Sequence, residues 1–163
     1  MGSEEKEISY TITNSYSTLN TLTKATKNVW FVCHGMGYLS RYFLNYFQNL
    51  NPNENYIIAP QAQSKYYIPP KFQYVGASWL TKENTIKETE NVMRYFDAVF
   101  EAEAIPKDKN LIVFGSRRFC LYDQFNTNVH SYKLHIPIFL ILYWRRDQTW
   151  SSSLNLLRNI FFG

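Results

Sequence analysis

Four consecutive residues, His34-Gly35-Met36-Gly37, carry the most legible chemistry in the chain. Glycines on both sides of Met36 let the backbone turn tightly and leave its N–H groups able to face a ligand. Backbone donors aimed at a developing oxyanion are among the largest single contributions to acyl-transfer catalysis. The same residues also describe a plain glycine turn in which His34 is hydrogen-bonded for structure. Cys33 and Cys120 lie in apolar surroundings with no second Cys or His at metal-ligand spacing. Buried, reduced thiols are therefore expected rather than a disulfide or a zinc site, and no residue pattern asks for a cofactor.

The elements around the turn read as an α/β chain. Ser9 to Leu22 is rich in Thr, Tyr and Ser with rough alternation, which suits one or two antiparallel edge strands. Val29 to Cys33 is a short apolar run that leads into the turn and reads as a buried strand. Leu39, Tyr42, Phe43, Tyr46 and Phe47 recur at helical spacing, and Asn51-Pro52 stops that helix. Tyr56 to Ala59 predicts a second strand, stopped by Pro60, followed by a loop rich in Gln, Tyr and Pro up to Trp79. From Thr81 to about Ala104 a long helix is expected, with Ile86, Val92, Met93, Phe96, Val99 and Phe100 on its apolar face. Asn110 to Phe114 is the clearest strand and runs into Gly115. Strand and helix alternating in this way predict a parallel sheet built by right-handed crossovers, with ligands bound at the carboxyl ends of the strands. The loops after Cys33, Ala59 and Phe114 are then the candidate site.

Composition divides the chain at the same place. It has 163 residues, 45% hydrophobic, 18% aromatic and 18% charged, enough apolar material for one folded domain. Up to Gly115, Lys and Arg balance Asp and Glu at eleven each; beyond it they number six against two, so the net charge of +4 lies wholly in the tail. From Ser116 onward there is no Ala, Glu or Met, and no Gly before the last residue. We therefore read residues 1–115 as one unit and 116–163 as an atypical basic and aromatic tail. Arg117, Arg118, Lys133, Trp144, Arg145, Arg146 and Trp150 are not organised by any nucleic-acid motif, and no nucleic-acid partner is expected. Ile136 to Trp144 contains Pro137 and is far short of the ~20 residues of a membrane-spanning helix. Met1 to Lys6 has no apolar signal core, and Lys6 stands where a myristoylation signal wants Ser or Thr, which predicts a cytoplasmic protein.

Between about Asn28 and Gly115 the chain resembles the carboxylesterase and phospholipase group of α/β-hydrolase serine esterases, which includes the acyl-protein thioesterases. The resemblance is carried by Val29-Trp30-Phe31-Val32-Cys33-His34-Gly35-Met36-Gly37, by Ala59-Pro60-Gln61-Ala62, by Ala77-Ser78-Trp79, and by Asn110-Leu111-Ile112-Val113-Phe114-Gly115 before the nucleophile position. It implies an incomplete α/β-hydrolase-like parallel sheet flanked by helices. It further implies an oxyanion loop of Gly35, Met36 and Gly37 with the Met36 N–H as donor, a structural role for His34, and a substrate mouth lined from Gln61 to Trp79. The substrate would be a small acyl ester.

The family's elbow is Gly-x-Ser-x-Gly, whose glycines allow the strained turn that exposes the serine. Here it reads Gly115-Ser116-Arg117-Arg118-Phe119, so Ser116 is displaced by one position and the second glycine is missing. If a parent gene read Phe-Ser-Gln as TTC TCG CAG followed by G, losing one T gives Ser-Arg-Arg, the residues at 116–118; Phe119 is not accounted for by that frame. Asp123, His130 and His135 follow Ser116 in the order of acid and base, but only seven to nineteen residues beyond it, too close for loops on separate strands. Two functions are therefore expected in competition: a serine esterase by descent that is inactive as written, and a non-catalytic α/β protein whose basic, aromatic tail binds a partner. A sheet cut short after Gly115 would leave an apolar edge prone to self-association.

Overall fold

The computed structural model of the chain describes residues 2–116, 139–144 and 150–151. Strands β1 (Tyr16–Leu19), β2 (Asn28–Cys33), β3 (Asn55–Pro60), β6 (Asn110–Ser116), β7 (Phe139–Trp144) and β8 (Trp150–Ser151) form one sheet in the order β1-β3-β2-β6-β7-β8. A separate hairpin pairs β4 (Ser64–Tyr67) with β5 (Val75–Ser78).

The centre of the large sheet is parallel, β2 running with both β3 and β6, whereas β1 on β3 and β7 on β6 are antiparallel. The sheet is thus mixed: β1 is an antiparallel edge strand within the Ser9–Leu22 stretch expected to supply one, and the antiparallel β7 is the departure from the parallel sheet expected for the rest. The reason lies in coverage: only β2, β3 and β6 are joined by helical crossovers and carry the near-continuous apolar runs of strands buried on both faces. All six residues of β3 are buried, and five of the six in β2.

Alternation along these strands separates two cores. Val29, Phe31, Cys33, Tyr56 and Ile58 pack under α2 (Thr85–Glu103), meeting Val92, Phe96 and Val99, with Trp79 in the same cluster. Trp30, Val32, Ile57, Ala59, Ile112 and Phe114 pack on the other side against α1 (Ser40–Phe43) and the 3-10 turn Leu44–Phe47 that continues it. Edge-to-face rings join both layers: Phe31 to Phe96 at 5.0 Å and Phe47 to Phe114 at 5.6 Å. The step from β2 to β3 and the step from β3 back across β2 to β6 run in opposite directions, and right-handed connections then put their helices on opposite faces.

Several boundaries differ from the sequence expectation for local reasons. The helix expected over Leu39–Phe47 is α-helical for four residues before it tightens into 3-10 geometry. The long helix starts at Thr85, not Thr81, because Asn84 takes a left-handed conformation; Ala104, also left-handed, closes it with its N–H on the carbonyls of Phe100 and Glu101. Ile86, expected on the apolar face, is 78% exposed in the first turn, beyond the cover of the sheet. The stretch expected as a loop up to Trp79 holds the β4–β5 hairpin. The open edge expected beyond Gly115 is taken up by β7, in register from Leu111↔Trp144 to Ser116↔Phe139. Arg117, Arg118, Cys120, Asp123, His130, Lys133, His135, Arg145 and Arg146 lie outside the described residues. Among the described residues no helix is long and apolar enough to cross a membrane.

Candidate functional site

The turn lies at the carboxyl end of β2, beside the end of β6, and the carboxyl ends of the strands are where α/β sheets bind ligands. Its shape is fixed by glycine at two places. Gly37 has φ of +87°, a region that side-chain-bearing residues rarely adopt. Gly76 on β5 lies so close that a Cβ there would come within 2.7 Å of the Gly37 backbone. The Gly37 N–H donates to the Ala77 carbonyl at 2.9 Å, and the Tyr38 N–H to the Gly35 carbonyl at 3.1 Å. Among the described residues no hydrogen bond takes up the Met36 N–H, and Met36 is 43% exposed. The turn therefore holds one backbone donor without a hydrogen bond among the described residues.

Beneath the turn His34 is fully buried, with both ring nitrogens engaged. Nε2 accepts the Ala62 N–H at 3.1 Å, so the proton is on Nδ1, which donates to the Gly35 carbonyl at 2.9 Å. Burial lowers the pKa of this imidazole, partly opposed by the Gly35 carbonyl. A neutral ring with no free nitrogen positions two loops and is not disposed to move a substrate proton. Cys33, free and buried just before it, has its thiol pKa pushed up by burial.

Gln61 and Trp79, expected to line a substrate mouth, are inside at 4% and 1% exposure. That expectation is corrected by their hydrogen bonds. Gln61 accepts the Ser40 N–H on Oε1 at 2.9 Å and donates through Nε2 to the Ala62 carbonyl at 3.1 Å, tying the loop after β3 to the start of α1. Trp79 donates its indole N–H to the His34 carbonyl at 2.7 Å, and its ring lies 5.1 Å from the imidazole. Both side chains brace the turn from behind.

Ser116 is the last residue of β6. The parallel register sets Cys33 against Gly115, so the Ser116 backbone follows level with His34, about 5 Å away across one strand spacing. An elbow would turn sharply into a helix there. Instead the chain remains extended at Ser116 and is paired with Phe139. The structure thus brings the glycine turn and the end of β6 side by side without bending the latter.

Gly76 and Ala77 fall within the Gln61–Trp79 segment, but their close packing on the turn was not anticipated. An isolated glycine in a strand is a sign of close backbone approach, and Gly76 carried that signal. Among the described residues no group of three or more His, Cys, Asp or Glu could hold a metal ion. No protein-family model and no curated protein matches the chain.

Proposed function

We propose that this chain is a serine carboxylesterase of the α/β-hydrolase type by descent, with the oxyanion turn retained and the nucleophile elbow lost, and that it has negligible esterase activity. The observation that carries the reading is the Gly35-Met36-Gly37 turn at the end of β2, with its Met36 N–H untaken among the described residues and the end of β6 beside it. That arrangement supplies one of the two backbone donors that acyl transfer uses; the second belongs to the residue after the nucleophile in an elbow. A Ser116 that continues β6 and is ladder-paired with Phe139 departs from the sharp strand-to-helix turn that an elbow requires. The parent substrate would be a small acyl ester, and the mechanism would need no cofactor.

The test is reaction with a fluorophosphonate probe, which labels activated serines, followed by mass mapping, together with hydrolysis of a short-chain aryl ester by wild type and Ser116→Ala. No adduct and equal, background hydrolysis are expected. Labelling at Ser116 with hydrolysis lost in the alanine variant would overturn the proposal.

A second reading, a non-catalytic α/β protein that binds a partner through its tail, is favoured by the pairing of β6 with β7, which spends the end of β6 on sheet structure. A tail folded as part of the domain resists limited proteolysis with the rest; early loss of the tail, leaving residues 1–115 intact, would count against it.

A further inference from the structure

We infer that the N-terminal arm, residues 8–13, is a pairing surface for a second copy of this chain. Among the described residues, 2–13 are all exposed and make no main-chain hydrogen bond. Ile8, Tyr10 and Ile12 are nevertheless spaced by two, as in a strand with one apolar face, and are 89%, 79% and 58% exposed. The arm is tethered at both ends: the Ser15 carbonyl accepts the Gln61 N–H at 3.2 Å and Asn14 donates to the Gln61 carbonyl at 2.7 Å, continuing the β1–β3 ladder, while Glu7 forms an ion pair with Lys87 on α2. What is presented is an exposed, unpaired segment with the apolar alternation of a strand.

Native edges avoid pairing with charge, proline or a bulge. From Ile8 to Thr23 there is no charged residue and no Pro. The edge therefore lacks the usual protection and is self-complementary. An antiparallel two-fold register centred on Tyr10 sets Ile8 against Ile12 of the second copy and Tyr10 against its counterpart, so every apolar side chain of one arm meets an apolar one of the other. It also sets Glu7 against Thr13 and Lys6 against Asn14 of the second copy, opposing no like charges. Lateral pairing covers only part of these six side chains, below the ~1,200–2,000 Å² of stable interfaces, so the dimer is weak and reversible.

Sedimentation equilibrium of the full chain across about 1–100 μM, concentrations at which weak complexes dissociate, tests this. A monomer–dimer equilibrium is expected, weakened at least tenfold by Ile8→Lys combined with Ile12→Lys, which opposes positive charges in the proposed register while near-UV circular dichroism is unchanged. In a Cys120→Ser background, oxidised Tyr10→Cys is expected to run as a disulfide-linked dimer and Thr18→Cys is not. Wild type that stays monomeric throughout, association undiminished in the double variant, or cross-linking at position 18 and not at 10 would each overturn the proposal.

Discussion

Substituting Gly76 by alanine tests whether the β4–β5 hairpin sets the shape of the Gly35-Met36-Gly37 turn. The added Cβ would stand 2.7 Å from both the Cα and the carbonyl oxygen of Gly37, where ordinary contact begins at 3.4 Å. The obstructing atoms are backbone, so no side chain can swing aside. Relief requires β5 and the turn to separate by roughly 0.7 Å or more, which stretches the 2.9 Å bond from the Gly37 N–H to the Ala77 carbonyl out of range. Overpacking of this kind costs about 1–3 kcal/mol, and the lost hydrogen bond adds about 1 kcal/mol, so the expected destabilisation is ~3 kcal/mol. Gly37→Ala is the internal control. Its Cβ would have room, the nearest atom being the Tyr66 hydroxyl at 3.7 Å, but the φ of +87° costs about 1–2 kcal/mol. Urea denaturation followed by tryptophan fluorescence reads both. Gly76→Ala within about 0.5 kcal/mol of wild type, the usual range for an inconsequential surface change, or less damaging than Gly37→Ala, would refute the clamp.

The remaining predictions follow from the same layer. His34 is neutral in the folded state with its pKa lowered by burial, so the unfolded chain binds a proton more readily; its stabilising contribution is complete above the unfolded value of about 6.5 and declines as pH falls below it, at no more than about 1.4 kcal/mol per pH unit. The urea midpoint is expected to drop between pH 7.5 and 5 and to flatten in His34→Gln; the same slope in both proteins would refute this. Trp79→Phe removes the indole donor to the His34 carbonyl and part of a buried ring, and is expected to cost ~2–4 kcal/mol by urea midpoint. Absence of fluorophosphonate labelling and weak, reversible association through the arm complete the set.

How much of this could be read in the sequence depended on burial. Strands β2, β3 and β6 were legible because burial on both faces leaves contiguous apolar runs such as Val29 to Cys33, and β1 because Ser, Thr and Tyr mark an antiparallel edge. The β4–β5 hairpin was not, because β4 is mostly exposed and Ser64-Lys65-Tyr66-Tyr67 has no apolar alternation. The direction of β7 depends on a connection that no local pattern encodes. At the site, the glycines of the turn announced themselves, whereas Gln61 and Trp79 were placed at a mouth only by the family resemblance. Their polar atoms are satisfied within the turn and its neighbouring loops, and that is knowable only once His34 is seen between them. The left-handed Asn84, which delays α2, has no sequence mark beyond the tolerance of asparagine for that conformation.

The central ladder also sets a timetable for synthesis. β2 can find β3 soon after both emerge, but its other neighbour is remote: Asn28 and Asn110, joined by a side-chain hydrogen bond in the finished sheet, are 82 residues apart. At ordinary translation rates of about 5–20 residues per second, that edge of β2 waits roughly 4–16 s for β6. Throughout that interval the nascent chain carries an apolar strand with one side of its backbone unsatisfied. The yield of folded protein should therefore respond to translation speed and chaperone supply even under conditions that leave the stability of the completed fold untouched.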